Sequence, residues 1–242
     1  MAEQGSPVKV CDPPARTLDW VRDALGAGRV VAVHPLAGGM SSAVHRIRLC
    51  SPAGAETDVV LKRFVDEDWL AAEPDLAARE VAALEAVESI GISAPRALAC
   101  DARGEHCDAP AVLMTFVRGD PELPVRVDSN WVGKAAAPLP PLHAAGESAA
   151  VGLPAYRPYN SASELDPPSW SKDPRSWKRG YELLGREPST QRSLIHRDYH
   201  PCNLLWSGGE LAAVIDWTMA CSGPIAIDTA HCRMNLVCLY GV

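Results

Sequence analysis

Short apolar runs separated by turns make up the first third of the chain. Val30 to Val33 reads as a strand, and Val44 to Leu49 alternates, with Val44, Ile47 and Leu49 set among basic residues. The turn Ser51-Pro52-Ala53-Gly54-Ala55 leads to a third strand, Asp58 to Phe64. Helical spacing takes over from about Asp75 to Ser89. Gly91 stops that helix, and Pro95 stands soon after, as expected beyond a helix end. Ala111 to Val117 is a further strand, apolar enough to be buried, and it closes on the loop Arg118-Gly119-Asp120-Pro121.

Beyond Asp120 the pattern breaks. Prolines are frequent up to about Ser193, and helical pieces near Trp131–Ala137 and Pro174–Leu184 are separated by irregular segments. The last fifty residues return to clear signals: a strand at Leu194-Ile195, a loop, a strand at Leu204–Trp206, the turn Ser207-Gly208-Gly209-Glu210, and a strand from Leu211 to Trp217. A final helix is predicted to start near Asp228, an acceptable N-cap residue. The order predicts an α+β chain with a boundary near residue 118. Residues 1–118 form a sheet-rich lobe with one helix, and residues 119–242 a helix-rich lobe.

Composition narrows the class. At 242 residues, 47% hydrophobic and 22% charged, the chain has ordinary globular values. A net charge of −7 argues against a general nucleic-acid binder, which usually carries a basic stripe, and is compatible with a cationic substrate. Met1 to Val10 lacks the basic-then-apolar layout of a secretory signal, and no apolar stretch approaches the roughly 18 residues of a membrane span. A soluble cytoplasmic protein, with no membrane partner, is expected. The eight cysteines form no CxxC pair and are expected to be free thiols, mostly buried.

The segment His196-Arg197-Asp198-Tyr199-His200-Pro201-Cys202-Asn203 carries the densest chemistry. Phosphoryl transfer to a hydroxyl needs a carboxylate to orient the nucleophile and accept its proton, and metal ligands to hold Mg²⁺ against a triphosphate. Asp198 fits the first role and Asn203 the second. The Gly208-Gly209 turn pairs Trp206 with Leu211 and Asn203 with Val214. Asp216 then falls two residues past the partner of Asn203, roughly 7 Å along the strand. Asn203 and Asp216 thus sit at one end of a hairpin, near enough to share an octahedral Mg²⁺. The same segment also reads His196-x-Asp198-x-His200, a metallohydrolase spacing, or as a satisfied polar turn; the first leaves Asn203 and Asp216 unexplained.

The helix near Leu76 adds a second constellation. At about 100° per residue, with Leu76 at zero, Glu80 falls inside the apolar stripe with Leu84 and Val87, and away from Arg79 and Glu85 on the wet face. A buried carboxylate needs a cation, and Lys62, at the end of an apolar strand, is the candidate. The other reading is a Glu80 that snorkels from a narrow stripe. The run Ala37-Gly38-Gly39-Met40-Ser41-Ser42 lies upstream of Lys62 between two strands, where backbone amides of Gly38, Gly39, Ser41 and Ser42 can drape over phosphates. It matches neither GxGxxG nor a P-loop.

In this order, the Gly-rich turn, Lys62, Glu80, the HRDYHPCN loop and Ile215-Asp216-Trp217 resemble the aminoglycoside phosphotransferase and choline kinase-like family. The likeness runs from about Val30 to Leu239. It implies a two-lobed protein-kinase-like fold with an antiparallel-sheet N-lobe and a mainly helical C-lobe, and an ATP (or GTP) and Mg²⁺ requirement. It assigns Asp198 as catalytic residue, Asn203 and Asp216 as metal ligands, and Lys62 with Glu80 as the phosphate-binding pair. The His-Pro-x-Asn ending and the tryptophan after Asp216 favour small-molecule kinases over protein kinases. Gly223-Pro224 with Asp228 resembles the stretch after the metal-binding aspartate, where the later Asp caps the next helix. Leu142-His143-Ala144 resembles a Leu-His element that supports packing.

Three departures stand out. Cys202 replaces the usual glycine, so the loop there must avoid positive φ or accept strain. Residues between Gly119 and Leu194 match poorly. The chain stops at Val242, where family members continue with helices that build the acceptor wall; a truncated product or an unusually open pocket is the expectation. The acceptor class stays open among aminoglycosides, other antibiotics, choline-like alcohols, sugars and amino-alcohols. Glu164, Asp166, Tyr156, Tyr159, Trp170 and Trp177 are candidates to meet a cationic one, or else pack a loop. A non-catalytic nucleotide-binding protein is the alternative.

Overall fold

The computed structural model describes residues 11–26, 28–36, 42–158, 165–184, 186 and 190–241. Helix α1 (Ala15–Ala24) precedes three strands, β1 (Arg29–Pro35), β2 (Ser42–Cys50) and β3 (Glu56–Phe64). Helices α2 (Glu67–Ala72) and α3 (Leu76–Ser89) follow, then β4 (Ala97–Asp101) and β5 (Ala111–Thr115). The strands form one antiparallel sheet in the order β1-β2-β3-β5-β4.

Period two along β3 sorts its residues into two layers. Val59 and Leu61 turn to one face, packed with Ile47 and Leu49 of β2, Leu113 of β5 and Val21 of α1. Phe64 turns to the other, where Val112 and Met114 meet the buried stripe of α3, Leu76, Ala77, Ala83, Leu84 and Val87. Lys62 shares that second face, which sets its ammonium against α3. Gly91, at φ 75°, ends α3 in the left-handed conformation that glycine reaches without strain.

The second half holds α4 (Ser129–Ala136), α5 (Leu139–Ala144), α6 (Pro174–Leu184), β6 (Arg192–Ile195), the hairpin β7 (Leu204–Ser207) and β8 (Glu210–Val214), β9 (Cys221–Pro224) and α7 (Ala226–Tyr240). Strand β6 pairs with β9. One hydrophobic cluster crosses between the halves, joining Phe64, Leu84 and Val112 to Leu142, Leu194, Tyr199, Leu204, Trp206 and Trp217. The architecture is the two-lobed kinase-like one, sheet first and helices after.

Several expectations are corrected. The run 111–117 is a strand only to Thr115, and 211–217 only to Val214. Trp206 does pair with Leu211, but the register shifts between Leu205 and Trp206. Leu204, not Asn203, therefore opposes Val214, while the Asn203 carbonyl takes the N–H of Ile215 at 2.9 Å. Asp216 is thus one residue past the partner of Asn203 rather than two. Arg79 is not on a wet face. It is buried and paired with Glu73 and Asp75, both from the turn that joins α2 to α3. Asp228 is not an N-cap; it lies in the first turn of α7 behind Ile225. The cysteines are free, but Cys11, Cys100, Cys202 and Cys238 are exposed against three buried. Among the described residues no helix is long and apolar enough to cross a membrane.

Candidate active site

Lys62 is the centre of the site. Its Nζ lies 2.5 Å from Glu80 Oε2, 2.7 Å from Asp216 Oδ1 and 2.6 Å from Thr218 Oγ1. The alternation of β3 and the apolar stripe of α3 bring Lys62 to Glu80; the turn after β8 brings Asp216 and Thr218 to both. Lys62 and Glu80 are buried, whereas the Asp216 side chain is 44% exposed. Burial alone lowers a lysine pKa, yet the charges of Asp216 and Glu80 outweigh it and raise Lys62 above its usual range. Burial likewise opposes the ionised form of Asp216, and Lys62 reverses that, holding the carboxyl below its usual range.

Asp198 stands on the loop between β6 and β7. Its carboxylate meets Asn203, whose Nδ2 donates to Asp198 Oδ2 at 3.2 Å and to the Asp198 carbonyl at 3.0 Å. His231 Nε2 lies 3.0 Å from Oδ1, and His200 Nε2 lies 3.6 Å from Oδ2. Burial works against the charge on Asp198, but His200 and His231 hold the carboxyl well below the usual range.

The rest of the loop is anchored from behind. His196 is buried, with Nε2 2.9 Å from the Ile215 carbonyl and its ring against Trp217. Asp228, fully buried, accepts the N–H of His196 at 3.1 Å and of Arg197 at 2.7 Å, and contacts His143 Nε2 at 2.9 Å. His143 therefore supports the loop through Asp228. His196, Asp198 and His200 do not converge as a metal triad, since His196 turns to the hairpin and His200 Nδ1 accepts the Cys202 N–H at 3.2 Å. Cys202 sits in the 3-10 turn Pro201–Asn203 without positive φ, the unstrained outcome its replacement of glycine requires.

Of the Gly-rich run, Gly38, Gly39 and Ser41 lie outside the described residues. Ser42 opens β2 opposite Phe64, at the same end of the sheet as Lys62. Tyr159 and Glu164 also lie outside the described residues. Tyr156 faces the Arg197 guanidinium at 5.7 Å. Trp170 and Trp177 instead pack edge-to-face at 5.9 Å beside α6, and the Asp166 carbonyl accepts the Tyr181 hydroxyl. Among the described candidates, Tyr156 thus stands at Arg197, whereas Asp166, Trp170 and Trp177 gather around Tyr181 of α6.

Two contributors escaped the sequence. Thr218 is hidden by an apolar run that reads as strand through Trp217, although its spacing of two from Asp216 is a signal. His231 lies three residues after Asp228, hence on the same helix face, a spacing legible once Asp228 is placed inside α7.

Residues 32–238 match the phosphotransferase enzyme family, and the chain belongs to it. Among curated relatives it is 33% identical over 156 residues to a homoserine kinase of Chelativorans sp. (strain BNC1), covering 56% of this chain and 44% of that protein. It is 31% identical over 140 residues to a homoserine kinase of Rhodopseudomonas palustris (strain ATCC BAA-98 / CGA009), covering 53% and 42%. The chain's matches thus span less than half the length of these relatives. Among solved structures it is similar to macrolide 2'-phosphotransferase MphH from Brachybacterium faecium, with a TM-score of 0.63 at 20% identity over 90% of this chain and 77% of that one. A streptomycin–ATP complex of APH(2")-IIa aligns with a TM-score of 0.58 at 13% identity over 94% and 76%.

Proposed function

We propose that the protein moves the γ-phosphoryl group of ATP, with GTP as the alternative donor, to a hydroxyl of a small amino-alcohol or aminoglycoside-like acceptor. In this reading residues 1–118 hold the nucleotide and residues 119–242 supply the reacting groups. The observation that carries it is the convergence on one point of Lys62, from the sheet, with Glu80 and Asp216, beside a loop that presents Asp198 and Asn203. The homoserine kinase relatives favour a hydroxyl-bearing amino acid among the amino-alcohols.

The roles follow from the donor set. Lys62, steadied by Glu80, takes the α- and β-phosphates. Asn203 spends its NH₂ on Asp198, which leaves its amide oxygen as a hard donor; Asp216 has one carboxylate oxygen on Lys62 and a second that accepts no hydrogen bond among the described residues. These two oxygens suit Mg²⁺, which when bound neutralises charge on the phosphates. Asp198 orients the acceptor hydroxyl. As the new O–P bond forms, the O–H proton passes to the Asp198 carboxylate, and the bridging oxygen leaves with its electron pair as part of the nucleoside diphosphate.

The test is phosphate transfer from Mg-ATP to L-homoserine and to a panel of aminoglycosides. Asp198→Asn is expected to abolish transfer while Mg-ATP binding stays within about twofold, and Asp216→Ala to weaken Mg-ATP binding itself. Parent-like transfer by both variants refutes the assignment. Stabilisation of the parent by Mg-ATP without turnover of any acceptor moves the reading to a nucleotide-binding protein.

A further inference from the structure

Helix α7 grips the catalytic loop at two successive points. In its first turn Asp228 accepts the N–H groups of His196 and Arg197. One turn later, on the same helix face, His231 presents Nε2 to the side chain of the next loop residue, 3.0 Å from Asp198 Oδ1. The helix backbone is tied at this point too, since the His231 carbonyl accepts the Asn235 side chain at 3.0 Å.

We infer that His231 is a positioning residue for Asp198, fixing by an Nε2–H···Oδ1 hydrogen bond the carboxylate orientation presented to the acceptor hydroxyl. The inference rests on the reading of Asp198 above. A carboxylate offers about four lone-pair sites. Asn203 takes one on Oδ2, His231 Nε2 stands 3.0 Å from Oδ1, within reach of a second, and His200 Nε2, at 3.6 Å, is beyond hydrogen-bond distance. Held at both oxygens, the group keeps one lone pair on each for an incoming hydroxyl. With Asn203 alone, rotation about the Cβ–Cγ bond is restrained at only one end. His200 does not substitute for His231, because its Nδ1 is committed to the Cys202 N–H and its ring is held by the loop rather than by the helix. The two rings stand 5.8 Å apart and approach the carboxylate from different elements.

Two measurements test this, one of them independent of any acceptor. In the full chain, long-range ¹H–¹⁵N spectra at fixed pH report which imidazole nitrogen carries the proton. The Nε2–H form is expected for His231 in the parent, with a change on Asp198→Ala. A His231 signal indifferent to that substitution overturns the inference. In turnover, with Mg-ATP and either L-homoserine or water as acceptor, His231→Leu is expected to lower kcat about 10- to 100-fold, the size of one hydrogen bond to a charged group. Mg-ATP affinity should stay within about twofold, and His231→Gln, whose amide NH₂ reaches the same place, should recover most of the rate. Parent-like kcat in His231→Leu, or equal loss in His231→Gln with an unchanged thermal midpoint, also overturns it. Failure of the underlying reading looks different: Asp198→Asn itself would then turn over like the parent.

Discussion

Replacing Thr218 by valine removes one oxygen from the buried cluster around Lys62. Thr218 is 1% exposed; its hydroxyl accepts from Lys62 Nζ at 2.6 Å and donates to Glu80, with Asp216 Oδ1 at 3.3 Å. Valine has nearly the same shape, so no cavity forms and the loss is one of hydrogen bonding. Hydrogen bonds to charged groups contribute about 1.5–3 kcal/mol each. Lys62 and Glu80 keep each other, and Lys62 keeps Asp216, so neither charge is stranded and the sum is not reached. The expected cost is about 2 kcal/mol, or a midpoint lower by roughly 4–8 °C for a chain of this size. Thr218→Ser keeps the hydroxyl and loses a methyl, at about 1 kcal/mol. Urea unfolding of the three proteins at pH 7.5 gives the order, and a double-mutant cycle with Glu80→Gln gives the coupling, expected at about 1 kcal/mol or more. A valine variant as stable as the serine one, or a coupling near zero, refutes the relay.

Two further expectations concern the scaffold. Arg46 and Arg48 donate to Asp58 and hold its pKa down at about 2, from 3.8. Because the folded pKa is the lower one, the stabilisation is complete above pH 3.8 and fades as pH falls through 2. Asp58→Asn should therefore cost about 1 kcal/mol at pH 7, after allowance for solvent screening, and progressively less at pH 3 and below. A urea-midpoint deficit that does not shrink in acid refutes the pairing. At Gly119, φ is 154° and an added Cβ would stand 2.9 Å from the Trp206 carbonyl, where residue 120 pairs with residue 206. Gly119→Ala is expected to destabilise by about 1–3 kcal/mol, while Gly133→Ala in α4, where a Cβ meets nothing within 4 Å, should stabilise by about 0.5–1 kcal/mol. Thermal midpoints of the two variants decide between these opposite signs.

What the sequence made legible was periodic. Two-residue alternation in β3 and the helical angle of Glu80 are independent patterns, and together they place Lys62 Nζ at 2.5 Å from Glu80. The elements that escaped lack such patterns or their signals. Helix α1 has Leu18, Val21 and Leu25 at helical spacing, but Pro14 gives it no side-chain cap. Helix α2 is six residues long, too short for a periodic window, and only the Asp66 cap on Trp69 N marks it. Strand β4, Ala97–Asp101, is an edge strand of weak β-formers. In α5 three prolines at 138, 140 and 141 read as irregular chain, yet all fall at the cap or first turn, where no intrahelical N–H is required. The shift in the β7–β8 register lies in the run Ala212-Ala213, and nothing in two alanines announces an extra residue.

The overlong strand after Glu210 has a different cause, tied to the site itself. Were β8 to continue, Asp216 would face the same side as Val214, which is buried, and its carboxylate would enter the core. Instead Asp216 adopts φ 65° and ψ 62°, which breaks the alternation and delivers the carboxylate to Lys62. Arg197, immediately before Asp198, has φ 68°, and these are the non-glycine residues of positive φ among those described. Each costs about 1–2 kcal/mol for an L-residue, less for aspartate. Glycine would remove the cost at 216 and the carboxylate with it, so the site requires the strained choice. The offsets are visible: Asp228 takes the Arg197 N–H at 2.7 Å, and Trp217 Nε1 closes the other turn on the Val214 carbonyl at 2.9 Å. Local backbone preference therefore fails at the two turns that aim the acidic groups, and there tertiary contacts fix the conformation.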